Sequence, residues 1–248
     1  MSAHDEIMKI LISDPIERQC VKILEDEGFS VDLRPEVEAA ELRSVIGRYD
    51  ALIVRSRTRV TADILSCADR LKAIGRAGAG VDNIDVDAAT RKGVIVMNTP
   101  GGNTISTAEH TISLILALAR NIPRAHASVA RGDWERKTFI GTELFGKTIG
   151  IIGLGKVGRE VAHRCLSFGM TVVGFDPVLS TEVALKLGIE LASFEDVLRR
   201  SDFVTIHTPL TEETRNLINE RTIAMCKKGA RIINCARGGI VDEEALLR

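Results

Sequence analysis

The sequence has no excess of either charge. Its 33 Lys and Arg stand against 34 Asp and Glu in 248 residues, a formal net charge of -1. Nucleic acids and acidic membrane surfaces select basic chains, so neither is an expected partner. A small anionic ligand would need a local cluster of Arg or Lys instead. Cysteine is scarce and odd in number: Cys20, Cys67, Cys165, Cys226 and Cys235, with no two spaced as CxxC. A disulfide framework and a zinc site are both disfavoured, no metal is expected, and a reducing, cytoplasmic setting fits. No apolar run is long and clean enough to span a bilayer. The best candidate, Ile112–Ala119, is short and carries a Ser. The polar start Met1–Lys9 lacks the pattern of a secretory signal. Fixed-sequence repeats and low-complexity segments are missing too.

What is present is the mix of an ordinary globular protein, 45% hydrophobic and 27% charged, long enough for one large domain or two smaller ones. Two alternating strand–helix series run along it. Strands of the first are expected at Ile7–Ile12, Ser30–Leu33, Ala51–Val54, Ala73–Gly75 and Val94–Met97, with helices such as Ile16–Glu27 and Val60–Ala68 between them. Short apolar strands separated by helices imply a parallel sheet covered on both faces. Thr104–Ala119 repeats its apolar residues at helical spacing, and Pro123 suits an early position of a helix over Pro123–Arg131. The second series places strands at Thr148–Ile152, Thr171–Phe175, Phe203–His207 and Arg231–Cys235. Pro100-Gly101-Gly102-Asn103 marks the boundary, giving domains 1–100 and 101–248. Val241–Arg248 reads as the start of a helix.

The chemistry-bearing feature is Gly153-Leu154-Gly155-Lys156-Val157-Gly158. GxGxxG alone is a weak signal. Here a buried strand precedes it, a helix follows it to a stop at Gly169, and the next strand ends in an acid, Asp176, about 20 residues on. Gly153 allows the tight turn, Gly155 lets the backbone approach a pyrophosphate, and Gly158 lets helix and strand pack closely. The helix N-terminus offers free N–H groups and partial positive charge to phosphates. Asp176 can accept from both ribose hydroxyls of the adenosine and would repel a 2′-phosphate, which selects NAD over NADP.

These residues, with Val204-Thr205-Ile206-His207-Thr208-Pro209-Leu210-Thr211 and Ile233-Asn234-Cys235-Ala236-Arg237-Gly238-Gly239, resemble the D-2-hydroxyacid dehydrogenases. Arg55-Ser56, Gly75–Asn83, Asn98-Thr99-Pro100 and Trp134-Glu135-Arg136-Lys137 narrow the likeness to the branch that oxidises 3-phosphoglycerate. The resemblance implies an α/β chain of two Rossmann- or flavodoxin-like doubly wound parallel-sheet domains. The N-terminal stretch would form the substrate domain, a nucleotide domain would be inserted into it, and the active site would lie in the cleft. It implies NAD-dependent oxidation of 3-phosphoglycerate to 3-phosphohydroxypyruvate, the first step of phosphorylated serine biosynthesis.

Residue by residue, Arg237 matches the family's catalytic arginine, whose planar fork can hold a carboxylate while polarising the C2 oxygen. Glycine-loop residues including Lys156 and Val157, with Thr208, Cys235, Ala236 and Arg237, match cofactor-contacting positions. Ala79 stands where relatives often carry Thr, which could remove a hydroxyl contact to the cofactor. Arg55, Ser56, Arg76 and Gly78 match positions facing a doubly anionic substrate. Arg136 and Lys137 resemble positions that reach the phosphate in a neighbouring subunit's cleft; the bland alternative is a solvated charge run. A homo-oligomer formed through the NAD-binding domain is implied.

The family's His–Glu acid/base pair lies beyond the arginine loop, in a Pro-His context that none of His4, His110, His126, His163 and His207 has. His207 reads as holding the cofactor loop. The expectation is therefore a chain whose nucleotide domain is incomplete at its C-terminus, with Arg231–Cys235 as an edge strand and weak turnover. Two other readings remain open: a non-catalytic NAD-binding or dimerising protein like the family's corepressor relatives, and a glyoxylate or hydroxypyruvate reductase.

Overall fold

The computed structural model describes residues 7–248; His4 lies outside them. The chain divides into two compact units between Asn103 and Thr104.

The first unit alternates β1 (Lys9–Ile12), α1 (Arg18–Asp26), β2 (Ser30–Leu33), α2 (Ala39–Val45), β3 (Ala51–Val54), α3 (Ala62–Ser66), β4 (Ala73–Arg76), α4 (Val86–Arg91) and β5 (Ile95–Asn98). Its strands form one parallel sheet in the order β2-β1-β3-β4-β5. β2 and β3 lie where the apolar runs put them, whereas β1 starts at Lys9, β4 runs on to Arg76 and β5 slides to Ile95–Asn98. α3 is shorter than the apolar stretch around it because Thr61 caps it, its hydroxyl accepting the Ile64 N–H at 3.4 Å.

One face of this sheet holds a continuous core that includes Leu11, Leu42, Ile46, Leu52, Ile64, Leu65 and Ile74. The other face is covered less completely than the sequence suggested. α1 has no fully buried residue, and Ile95 and Met97 are 63% and 53% exposed. Ile23 and Leu24 of α1 line an apolar groove of about 330 Å³ with Ile53 and Met97.

The second unit opens with α5 (Thr104–Arg120) and α6 (Ile122–Ala130), the latter with its Pro in the first turn. It continues through β6 (Thr148–Ile152), α7 (Lys156–Ser167), β7 (Thr171–Phe175), α8 (Thr181–Lys186), β8 (Glu190–Leu191), α9 (Phe194–Arg200), β9 (Phe203–Ile206), α10 (Glu220–Ile223), β10 (Arg231–Asn234) and α11 (Glu243–Leu247). The parallel sheet runs β10-β9-β6-β7-β8, so β10 is an edge strand. β6 is central, with later strands added to each side in turn. That reversal of winding direction leaves a crevice at the carboxyl ends of the strands, where open α/β sheets hold ligands.

Both faces of this sheet are buried. α5 and α7 close one with Ile115, Val161 and Cys165 against Ile149 and Ile151. α9 closes the other with Val197 and Leu198 against Ile152 and Val204. Among the described residues no helix is long and apolar enough to cross a membrane.

Candidate functional site

Strand register decides where the second unit's loops begin. Phe175, Ile152, Ile206 and Asn234 are successive neighbours across β7, β6, β9 and β10. The segments leaving that row are Asp176, the loop Gly153–Gly158, His207-Thr208 and Cys235–Arg237. Residues far apart in sequence are thus delivered to one edge of one sheet.

Close backbone approach then shapes the loop. Gly153 has φ +92°, and a Cβ there would sit 2.7 Å from the His207 carbonyl oxygen. A Cβ on Gly158 would overlap the Gly153 carbonyl oxygen, so α7 can start this near the turn only without a side chain. Gly155 differs: it precedes α7 in an extended conformation, and nothing lies within 4 Å of where its Cβ would be. The open side of the loop is therefore at Gly155, beside Lys156 and Val157. There the first-turn N–H groups of α7 have no intrahelical acceptor and carry the positive end of the helix dipole.

Asp176 is bound to this loop rather than merely near it. One carboxylate oxygen, Oδ2, accepts the Leu154 N–H at 2.7 Å, and Oδ1 accepts those of Val178 and Leu179 at 2.9 and 3.0 Å. Burial opposes its ionisation, but these donors, with Arg159 nearby, outweigh burial and hold the carboxyl below its ordinary pKa. Three of about four acceptor positions on the carboxylate are taken. About one acceptor position on the carboxylate is left open in this arrangement. The extra donors come from loop backbone, which residue spacing does not reveal.

Thr208 lies against Gly153, and its Oγ1 is buried without a hydrogen-bond partner among the described residues. Burying a hydroxyl unpaired is costly. An orphaned hydroxyl beside an open, glycine-lined helix N-terminus fits a polar ligand such as a dinucleotide. The His207 Nε2 pairs with the buried Thr205 hydroxyl at 3.0 Å, and burial pushes its pKa down to about 4. It is a neutral support for the strand end.

Arg237 is positioned by Asn234, whose side chain accepts the Ala236 N–H at 3.0 Å and donates to the Arg237 carbonyl at 2.8 Å. The Arg237 guanidinium donates to the Ala236 carbonyl at 2.8 Å. Cys235 and Ala236 are partly buried against the cores on the two faces. Asn234 and Arg159, which donates to the Leu154 carbonyl at 2.7 Å, are supports the sequence reading missed. An Asn two residues ahead of a backbone donor is a local signal that could have found the first.

In the first unit, Val54, Arg76 and Asn98 form the corresponding row of strand ends. Arg55 and Ser56 follow it and are exposed. Buried Asp14 fixes this turn by accepting the Arg55 N–H at 2.5 Å and the Thr58 hydroxyl at 2.8 Å, and it pairs with Arg57 at 3.3 Å. The Arg76 side chain lies over Gly78, where any Cβ would overlap its guanidinium, and its Nε is buried without a partner. Asn98 donates to the Ala79 carbonyl at 2.6 Å. Asp14 and Arg57 are positioning residues that carried no sequence signal, whereas Asn98 belongs to a motif that did, without its role being read. Arg136 and Lys137 lie in an exposed turn after α6.

Residues 112–248 match the family described as D-isomer specific 2-hydroxyacid dehydrogenase, NAD binding domain. The chain is 52% identical over 246 residues to D-3-phosphoglycerate dehydrogenase of Homo sapiens, covering 99% of this chain and 46% of that protein. With the Bacillus subtilis protein of that name it shares 51% over 241 residues, 97% of this chain and 46% of the relative. The chain thus spans about half the length of these relatives. Among solved structures it resembles D-lactate dehydrogenase from Aquifex aeolicus complexed with NAD and lactic acid, with TM-score 0.85, 30% identity and coverage of 96% and 72% of the two chains. It also resembles a glyoxylate reductase from Paecilomyes thermophila, with TM-score 0.89, 31% identity and coverage of 98% and 77%. The glycine loop, Asp176, Thr208 and Arg237 all fall inside the matched stretch, and by that match the chain belongs to the D-isomer specific 2-hydroxyacid dehydrogenase family and carries its NAD-binding domain.

Proposed function

We propose that the protein takes part in NAD-dependent oxidation of 3-phospho-D-glycerate to 3-phosphohydroxypyruvate, the entry reaction of phosphorylated serine biosynthesis. The observation that carries this reading is identity above 50% across nearly the whole chain to proteins named D-3-phosphoglycerate dehydrogenase. The glyoxylate reductase and D-lactate dehydrogenase share its fold at 31% and 30%.

In this proposal the glycine loop receives the pyrophosphate on the N–H groups at the start of α7. Asp176 takes one adenosine ribose hydroxyl, and the Thr208 hydroxyl gains its missing partner. Bound NAD would supply the acceptor for the hydride leaving C2. Arg237, its backbone pinned by Asn234, holds the substrate carboxylate and polarises the C2 oxygen. Arg55, Ser56, Arg76 and Gly78 are the proposed substrate contacts of the first unit, Ala79 a cofactor contact, and Arg136 and Lys137 contacts to substrate held by a second copy.

Self-association through the second unit and a cytoplasmic setting belong to the same proposal. Leu118, Ile122, Val129, Trp134 and Ile140 are 46%, 51%, 57%, 75% and 78% exposed along α5, α6 and the segment after them. Sedimentation of the chain should show a dimer or larger species, and a monomer at all concentrations would remove that part.

Calorimetry with NAD, NADP and candidate substrates tests the rest. Saturable NAD binding with little for NADP is expected, followed by uptake of 3-phosphoglycerate in preference to glyoxylate, hydroxypyruvate or lactate. Replacing Asp176 with Ser should narrow the NAD preference and weaken loop order together. Equal uptake of phosphorylated and unphosphorylated acids would favour the reductase reading instead.

A further inference from the structure

At the opposite end of the second sheet, roughly 13 Å from the glycine loop along β6, lies a polar pocket of about 270 Å³. Its lining includes Thr142, Lys147, Asp202, Lys227, Lys228 and Arg231. Four cations thus surround one carboxylate in a chain whose net charge is only -1. That carboxylate is already engaged: Asp202 Oδ2 accepts the Thr148 N–H at 2.8 Å and Oδ1 takes Lys227 at 3.0 Å. Among the described residues no ion pair joins Lys147, Lys228 or Arg231 to a carboxylate.

Arg231 is nevertheless held in place. Its guanidinium stacks 5.0 Å above the Phe203 ring and donates to the Thr142 hydroxyl at 3.2 Å. The Thr142 O–H remains free to donate.

The first unit shows what the fold alone requires here. There Asp50 accepts the Lys9 N–H at 3.0 Å and is flanked by Arg70 and Lys72, each at 3.5 Å. A carboxylate with cations on it suffices to start a ladder. The second unit repeats that device with Asp202 and Lys227, then adds Lys147, Lys228 and a stacked Arg231 around an open cavity. Asp202, which holds Lys227 and also feels Lys147, is one carboxylate against four cations, and a bound multivalent anion would relieve the remaining repulsion.

We propose that this pocket is a second anion site, taking the phosphate group of a small soluble metabolite. Arg231 would offer its planar fork, Lys147 and Lys228 point charges, and Thr142 a hydroxyl donor. The site is independent of the dehydrogenase reading, because it shares no residue with the glycine loop.

Amide NMR of the whole chain tests it, by titrating inorganic phosphate against chloride at constant ionic strength with NAD present in excess. Saturable phosphate-specific shifts are expected at Thr142, Gly229 and Ala230. The double variant Lys147→Gln/Lys228→Gln changes exposed or partly exposed ends, so its fold should be retained. It should weaken the phosphate response by roughly tenfold or more, as loss of charged hydrogen bonds implies, while shifts at Gly155–Gly158 caused by NAD stay as they are. Equal shifts with chloride, phosphate shifts confined to the glycine loop, or an unchanged response in the double variant would each overturn the proposal.

Discussion

Gly155 and Gly158 share one loop but face opposite constraints, and alanine at each should fail differently. At Gly155 the backbone is extended and the space for a Cβ is open. Gly155→Ala should leave thermal stability within about 1 kcal/mol of the parent and still lower NAD affinity, because its methyl group occupies the space left for phosphate. At Gly158 a Cβ collides with the Gly153 carbonyl. Gly158→Ala should therefore destabilise the fold by roughly 1–3 kcal/mol and lose NAD binding as a consequence. Denaturation midpoints paired with NAD calorimetry separate the two cases. Unchanged NAD affinity in Gly155→Ala would mean that the loop does not cradle the cofactor.

His207 makes a second residue-scale prediction. Burial lowers its pKa from 6.5 to about 4. The unfolded chain then binds a proton between those values that the folded chain does not. The sign follows: stability is full above pH 6.5, falls as the pH drops toward 4, and falls no further on this account below it. The loss should be on the order of 3 kcal/mol at most. His207→Gln can keep a bond to Thr205 without titrating. Its unfolding free energy, followed by urea from pH 7 to 4, should decline less than the parent's. Parallel curves would show that His207 is not the group responsible.

The elements were legible in proportion to how buried and how long they are. β6 and β7 are almost continuous apolar runs, and both lie where the sequence put them. β8 has two residues, one of them Glu190, and offers no periodic signal. α8 and α9 are short and depend on their caps, with the Ser180 and Ser193 hydroxyls accepting the N–H groups of Val183 and Asp196 at 3.4 and 3.2 Å. The glycine loop and Asp176 announced themselves by spacing. Their supports did not, because Leu154, Val178 and Leu179 act through backbone N–H groups that any residue could provide. Nor did the equivalence of Asp50 and Asp202, which two dissimilar sequences place just before β3 and β9, each paired with the first strand of its unit.

That equivalence is testable at the element scale. Backbone donation from Lys9, opposed by burial and helped by Arg70 and Lys72, lowers the Asp50 pKa from 3.8. Burial works against the Asp202 carboxylate, but the Thr148 N–H and Lys227 prevail and lower it likewise. Both groups therefore contribute stability that is present above about pH 4 and lost as the pH falls through their folded pKa values. Asp202→Ala should cost roughly 1–3 kcal/mol at pH 7 by leaving the first N–H of β6 unmatched. Measured at progressively lower pH, the gap between parent and variant should close. A gap that persists below pH 2 would point to packing rather than charge.

At the scale of the whole molecule, each unit has its own core, and every residue assigned to the NAD loop row lies in the second. A ligand that binds only folded protein stabilises it by RT ln(1 + [L]/Kd), about 2.7 kcal/mol at a hundredfold excess over Kd. With two cores, that stabilisation need not be shared, and unfolding need not be two-state. NAD should therefore slow hydrogen exchange most at Leu154–Gly158, Val178-Leu179 and Ala236-Arg237, then through the strands of the second sheet. Amides of β1 to β5 should change far less. Residues 104–248 expressed alone should bind NAD with an affinity near that of the full chain. If the isolated unit folds, as judged by its amide dispersion, and does not bind NAD, the first unit must supply part of the cofactor site, and Ala79 and Gly78 become the residues to examine. Uniform protection across both sheets would instead mean that the two cores unfold as one.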